Sequence, residues 1–246
     1  MEFIYLISGV LLCEVVSYTS KYTFSLNQKY LSSFPPNFLM QLYFGICSLI
    51  LISIFGYTLN FKISLMDLWK ILYQSFFLFS ISALIINSII DTIESSVSNN
   101  MSEVPSSNDF IGKNVNKQLF MFMVLFINPV TEELLYRGFL LNHILSLDYI
   151  TINTKVLTIS LPVLISGFYF GFIHRSLLKM DMDKFFVYKV MIKGAIVGIA
   201  CGYFYIEYNS FTAAIVVHFI ANIAENISTS LFNSLSSIFY NKVFRK

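Results

Sequence analysis

The sequence predicts an all-α fold, a polytopic transmembrane helical bundle of about seven to eight spans. Of the 246 residues, 56% are hydrophobic and only 12% are charged, about half the charged share of ordinary globular chains. Seven spans of about 20 residues need roughly 140 apolar positions, which nearly exhausts the hydrophobic content of the chain. The composition therefore excludes a soluble protein.

Apolar windows place the spans near residues 3–20, 37–58, 71–90, 118–145, 156–174, 188–206 and 211–232. The first window carries Glu14 and lacks a basic amino-terminal region and a small-residue cleavage site, so we expect a retained span rather than a signal peptide. The sequence thus divides into N-terminal transmembrane helices (1–90), a Ser- and Asn-rich polar loop (91–117), a four-helix core in the C-terminal half (118–232) and a basic tail (233–246).

The distribution of Lys and Arg among the loops predicts the orientation. The predicted loops on the same side of the membrane as the carboxyl terminus all carry basic residues, whereas the loops on the opposite side carry only Lys62, Lys70 and Lys155. The positive-inside rule therefore predicts a cytoplasmic carboxyl terminus. The small net charge of +2 gives no reason to expect nucleic acid as a partner. The three cysteines all lie in apolar runs, so no disulfide is expected.

The fourth apolar window contains Glu132, Glu133 and Arg137, and each charge costs about 2.5 to 3.5 kcal/mol at the centre of a membrane helix. At 100° per residue, Glu133 and Arg137 lie about 40° apart on the helix, whereas Glu132 and Arg137 lie about 140° apart. We therefore expect Glu133 to pair with Arg137 and Glu132 to face a site. Pro129 is expected to kink the helix beside these carboxylates.

Two later windows also carry polar residues: His174, one turn after Phe170, and His218, which shares a helix face with Asn222. Together with Glu132 these residues suit peptide hydrolysis, because a carboxylate can accept a proton from water, an imidazole can position that water, and a His and Asn pair can stabilise an oxyanion. Glu132, His174 and His218 can instead hold a divalent metal such as zinc. A purely structural role for each residue is the simpler alternative, and the residues alone leave all three open.

Small residues recur every four positions at Gly167 and Gly171 and at Gly194, Gly198 and Gly202. Such stripes allow two helix backbones to approach closely. We expect the fifth and sixth helices to use them for packing, which would draw the polar residues of neighbouring spans together.

These motifs, in this order and each on its own helix, resemble the CPBP intramembrane proteases, also called the CAAX protease and bacteriocin-processing family. The family includes the eukaryotic Ras-converting endopeptidase. The resemblance covers roughly residues 118–230 and rests on three patterns: Glu132-Glu133-x-x-x-Arg137, Phe170-x-x-x-His174 and His218-x-x-x-Asn222.

The resemblance implies that the four-helix core is the catalytic core of a CAAX-type endopeptidase. Glu132 would be the general base, assisted by His174, while His218 and Asn222 would stabilise the oxyanion and Glu133, Arg137 and Phe170 would support them. Both glutamate-dependent and metal-dependent mechanisms have been argued for the family. We favour the metal-free form, with no cofactor required, and retain zinc held by Glu132, His174 and His218 as the alternative.

Short loops and the use of Lys, Asn and Ile are typical of low-GC Gram-positive bacteria. We therefore expect a bacterial cytoplasmic membrane protein that acts on a peptide or protein substrate in bacteriocin or peptide processing or in self-immunity, with membrane lipid as its surroundings. The first alternative is a non-catalytic immunity or scaffold protein that binds a bacteriocin receptor or a sensor kinase. The second is a transporter, in which Glu14, Lys193 and Glu225 would extend a polar path. The sequence does not predict the oligomeric state.

Overall fold

The computed structural model describes residues 2–31, 34–35, 37–97, 116–147, 150–153, 158–180 and 183–244. These residues form seven helices and one short hairpin, which confirms the predicted all-α bundle. The elements are α1 (Glu2–Tyr30), α2 (Phe38–Ile54), α3 (Leu65–Val97), α4 (Lys117–Leu147), β1 (Thr151–Asn153), β2 (Thr158–Ser160), α5 (Leu161–Ile173), α6 (Lys184–Glu207) and α7 (Phe211–Phe244).

Five of the helices in the described residues, α1, α3, α4, α6 and α7, contain stretches long and apolar enough to cross a membrane. Helix α2 is apolar but has only 17 residues, and α5 has 13. Large apolar side chains point outward, including Phe3, Ile54 and Trp69, each about two-thirds or more exposed. Such a surface suits lipid rather than water, so the chain is an integral membrane protein.

The fifth predicted span differs from the structure at its beginning. Helix α5 begins at Leu161, with Pro162 in its first turn, where proline is favoured. The preceding residues 158–160 pair antiparallel with β1, with Thr151 opposite Ser160. An apolar run rich in β-branched residues fits a strand as well as a helix, and the apolar window over 156–174 merged the two elements.

Two other boundaries also differ from the sequence-based division. Helix α3 continues to Val97, into the segment predicted as a polar loop, and the remainder of that loop, residues 98–115, lies outside the described residues. Helix α7 continues to Phe244 through most of the predicted basic tail. The polar composition of these two segments therefore did not predict where the helices end.

Helix α4 forms the centre of the bundle and packs against α1, α2, α5, α6 and α7. Its side chains Leu135, Phe139, Leu140 and Leu141 are completely buried. The helix is irregular, because π-helical turns at Met123–Ile127 and Leu134–Leu141 flank the α-helical segment that contains both glutamates. Pi-helical turns occur frequently at functional sites.

Helices α5 and α6 touch backbone to backbone along the two glycine stripes, as predicted. A Cβ added to Gly171 would lie 2.5 Å from the carbonyl oxygen of Met191, and one added to Gly198 would lie 2.7 Å from the carbonyl oxygen of Gly167. Gly194 faces the ring of His174, to which an added Cβ would approach within 3.3 Å. The contact therefore holds the end of α5, where His174 lies, directly against α6.

Candidate active site

The predicted Glu133–Arg137 ion pair forms in the centre of the bundle, with both side chains completely buried. Arg137 donates from Nη1 to Glu133 Oε1 over 3.1 Å and from Nη2 to the Gly198 carbonyl oxygen over 2.6 Å. The guanidinium also lies over the Phe170 ring, 5.1 Å from its centroid. A buried charge is tolerated only with such partners, so this pair is a fixed part of the interior.

Glu133 also fixes the ring of His218. The Nδ1 atom of His218 lies 2.7 Å from Glu133 Oε1, the oxygen that also accepts from Arg137, and a carboxylate oxygen of this kind accepts. Nδ1 therefore carries a proton and donates it to Glu133. The other ring nitrogen, Nε2, faces Glu132 at 3.8 Å from its Oε2.

Glu132 differs from Glu133 in its exposure. About a fifth of its side chain remains accessible, whereas Glu133 is fully enclosed. Its Oε1 accepts a hydrogen bond from Gln41 Nε2 over 3.2 Å, and its Oε2 faces His218. As the helical geometry predicted, Glu133 pairs with Arg137 and Glu132 points in a different direction.

Asn222 contacts α4 at the π-helical turn. Asn128 donates its backbone N–H to the Met123 carbonyl oxygen, five residues back, and the next residue, Pro129, has no N–H to offer the following carbonyl. Asn222 Nδ2 donates to that carbonyl, Val124 O, over 3.0 Å. One amide hydrogen of Asn222 thus replaces the missing backbone donor, and the second is left for another acceptor.

His174 approaches the other candidates through Phe170. Its Nδ1 donates to the Phe170 carbonyl oxygen over 2.9 Å, which leaves Nε2 available. The Phe170 ring lies edge-on to both imidazoles, with centroids 5.4 Å from His174 and 5.6 Å from His218. The structure thus brings Glu132, Glu133 and His218 into direct contact, whereas His174 lies beyond the Phe170 ring and Asn222 bonds to the α4 backbone.

Two sets of residues offer donors of the kind that bind zinc, but in the part of the chain that the structure describes only the second brings three ligand atoms within 4.8 Å of one another. In both His174 and His218 the Nδ1 atom is hydrogen-bonded and Nε2 is left over, as is usual for metal-binding histidines, so the predicted set with Glu132 suits zinc in kind. A second group, Glu133, Cys201 and His218, offers ligand atoms within 4.8 Å of one another. That second group is less suitable, because Glu133 Oε1 already serves Arg137 and His218.

The sequence analysis missed Gln41. It lies on α2, in the half of the chain where no functional residue was expected, and is almost completely buried against α4. A lone amide in an apolar window was the available signal, but nothing in the sequence relates it to Glu132, 91 residues later.

The third histidine has a structural environment. His143 has both ring nitrogens engaged, one with Ser8 Oγ at 2.9 Å and the other with the Tyr57 hydroxyl at 2.7 Å. The Tyr57 hydroxyl can donate to one ring nitrogen while Ser8 accepts from the other. Ser8 in turn donates to the Tyr5 carbonyl oxygen, which leaves no free proton for nucleophilic chemistry.

The remaining membrane charges form separate ion pairs. Glu14 Oε1 accepts from Arg175 at 3.2 Å, and Glu225 Oε1 accepts from Lys193 at 2.8 Å. The polar path expected for a transporter is thus divided between two pairs on different helices.

Residues 114–224 match the family model described as type II CAAX prenyl endopeptidase Rce1-like. No curated protein and no solved structure matches the chain. The matched segment contains all seven residues singled out in the three sequence motifs and excludes α1, α2 and α3. This match supports the family relationship that the sequence motifs predict.

Proposed function

We propose that the chain is an intramembrane endopeptidase that hydrolyses a peptide bond with water activated by Glu132, because residues 114–224 match the model of Rce1-like type II CAAX prenyl endopeptidases. The observation that carries this proposal is the geometry of Glu132 and His218: a partly accessible carboxylate lies 3.8 Å from Nε2 of an imidazole whose Nδ1 is held by a second carboxylate. Two acidic groups with such different surroundings suit two different tasks.

In this mechanism Glu132 Oε2 accepts a proton from water as the water oxygen bonds to the carbonyl carbon of the substrate. His218 acts in its doubly protonated form, donating from Nδ1 to Glu133 and from Nε2 to the developing oxyanion. The two carboxylates, Glu132 and Glu133, together balance the charges of Arg137 and the imidazolium, and the second amide hydrogen of Asn222 is a further donor. When the carbon–nitrogen bond breaks, Glu132 returns the proton to the departing amine.

His174 completes the proposed site by orienting the water through Nε2, since its Nδ1 is held by the Phe170 carbonyl. Phe170 separates the two imidazoles and covers Arg137. No metal is needed for these steps. In the metal-dependent alternative, Glu132, His174 and His218 would hold zinc, which supplies Lewis-acid activation of the water.

The proposed setting is a bacterial cytoplasmic membrane with the carboxyl terminus in the cytoplasm. The substrate is a peptide or protein that reaches the site from the lipid, and its cleavage serves bacteriocin or peptide processing or self-immunity. Detectable prenyl-dependent cleavage of a farnesylated tetrapeptide by the purified protein would contradict this choice of substrate class.

The test compares wild type with Glu132→Gln, His174→Ala and His218→Ala in the native host, with protein levels matched by immunoblot. Glu207→Gln, at an exposed glutamate that ends α6, is the matched control. Resistance to the producer's bacteriocins and the profile of secreted peptides are measured. We expect the three site variants to lose the phenotype and to accumulate uncleaved substrate, while the control behaves as wild type.

Retention of the phenotype in all three variants at normal protein levels would refute the proposal. It would favour the non-catalytic immunity or scaffold protein, in which buried pairs such as Glu133–Arg137 only lock helices together. Solute flux in proteoliposomes that depends on Glu14 or Glu225 would instead support the transporter.

A further inference from the structure

One polar side chain of helix α2, that of Gln41, contacts Glu132, the proposed general base. Gln41 is only 2% exposed, and an amide buried in an apolar bundle must satisfy its hydrogen bonds with protein partners. Its Nε2 donates to Glu132 Oε1 over 3.2 Å. Its Oε1 accepts from the Thr131 hydroxyl, on the residue that directly precedes Glu132.

Thr131 fixes which way the Gln41 amide points. Its hydroxyl, which also lies within reach of the Ile127 and Asn128 carbonyl oxygens, donates to the amide oxygen, while the NH₂ end faces the Glu132 carboxylate, which accepts from it. The reverse orientation would set the amide oxygen against a carboxylate oxygen, with no proton between them.

Packing between α2 and α4 holds this arrangement in place. Thr131 is 9% exposed, and its methyl Cγ2 lies 3.2 Å from where a Cβ on Gly45 would sit, one helical turn beyond Gln41. A glycine at that position lets α2 approach closely enough for the amide to reach across.

We propose that Gln41 is a positioning residue for the hydrolysis, fixed by Thr131, that holds Glu132 Oε1 and so leaves Oε2 as the oxygen that accepts the proton from water. The inference rests on the proposed function of Glu132. A carboxylate rotates easily about its terminal torsion, and the Gln41 hydrogen bond removes that freedom. Oε2 then stays directed at His218 Nε2. Helix α2 thereby has a role in the reaction although it lies outside the family-matched segment.

The experiment uses the full chain, purified and reconstituted in liposomes and incubated with the solubilised membrane fraction of the host as probe. Mass spectrometry follows the initial rate of appearance of those peptides that Glu132→Gln fails to produce. The variants are Gln41→Met, which keeps the length of the side chain, and the pair Thr131→Val and Thr131→Ser. Ser48→Ala is the control, because Ser48 is buried on the same helix and donates only within α2, to the Phe44 carbonyl.

Gln41→Met and Thr131→Val are expected to lower the initial rate about 10-fold or more, the effect of losing a hydrogen bond to a charged group. Thr131→Ser keeps the hydroxyl and is expected to stay within about threefold of wild type by the same reasoning, as is Ser48→Ala. Valine has the shape of threonine, so a role in packing alone would make valine the milder change and serine the harsher one.

The outcomes separate this inference from the proposed function. If Glu132→Gln abolishes the products while Gln41→Met and Thr131→Val keep the wild-type rate, Glu132 is catalytic and the positioning role is wrong. Equal losses in Thr131→Ser and Thr131→Val also overturn it. If wild type and Glu132→Gln yield the same peptides, the proposed function fails and the role of Gln41 fails with it. Should Gln41→Met not fold, the Thr131 pair alone decides.

Discussion

The contact between α5 and α6 leads to the most stringent stability prediction. Replacing Gly171 with alanine would place a Cβ 2.5 Å from the Met191 carbonyl oxygen and 2.6 Å from the Ala195 backbone nitrogen. Both obstacles are backbone atoms of a helix, which cannot move aside as a flexible side chain can. To reach an ordinary separation of about 3.4 Å, the two helices would have to part by almost 1 Å, which breaks the close packing of the interior.

The expected cost is about 3 kcal/mol, the upper part of the usual range for overpacking. For a chain of this size that corresponds to a decrease in Tm of roughly 6 to 12 °C. Gly202→Ala is the matched control, because the nearest atoms to its Cβ would belong to side chains, the first being Val163 Cγ1 at 3.2 Å. Thermal unfolding of both variants in the same detergent, followed by circular dichroism, measures the difference.

The functional consequence follows from the position of His174 at the end of α5. Separation of α5 from α6 would move His174 and Phe170 away from His218, so Gly171→Ala should also lose proteolytic activity at temperatures where it is still folded. A Tm for Gly171→Ala equal to that of wild type, or a Gly202→Ala variant that is at least as unstable, would refute the steric argument.

Three further predictions concern the site. Arg137→Met leaves Glu133 buried without its counter-charge and should destabilise the protein by about 3 to 5 kcal/mol. Adding Glu133→Gln to this variant should restore part of the Tm but not the activity. Equal Tm values for the single and the double variant would contradict this prediction. Asn222→Leu should lower the free energy of unfolding by about 1 to 3 kcal/mol because it leaves Val124 O unpaired. The loss should be smaller in a Pro129→Ala background, which restores a backbone donor. Thermal unfolding of wild type, the two single variants and the double variant measures the difference. Treatment with EDTA and phenanthroline should leave peptide release unchanged; loss of activity that zinc restores would establish the metal-dependent mechanism.

The features of the site that could be predicted from the sequence are those that arise within one helix. The pairing of Glu133 with Arg137 follows from a spacing of four residues, and the different direction of Glu132 follows from a rotation of one residue. The glycine stripes likewise predict that two helices approach closely, since a repeated absence of side chains on one face is typical of a contact with a neighbouring backbone. Each of these inferences needs only the helical period.

The features that could not be predicted depend on how helices are arranged in space. Nothing in an apolar window relates Gln41 to Glu132, because their proximity depends on the packing of α2 against α4. The hairpin before α5 was missed for another reason: its apolar, β-branched residues fit strand and helix alike, and only pairing with β1 decides between them. The orientation of His218 could not be predicted either, because the spacing pairs Glu133 with Arg137 alone and gives no sign of the contact between Glu133 and His218.

Residues on several helices orient the two adjacent carboxylates, Glu132 and Glu133. Glu133 is neutralised by Arg137, which is also held by the Gly198 carbonyl of α6, and it fixes His218 of α7. Glu132 is held by Gln41 of α2, and its free oxygen faces that same histidine. In an apolar membrane a misdirected carboxylate has no water to compensate it, so protein groups must orient both side chains. The proposed chemistry therefore depends on the assembled bundle, with α2 and α6 contributing as directly as the helices that carry the family motifs.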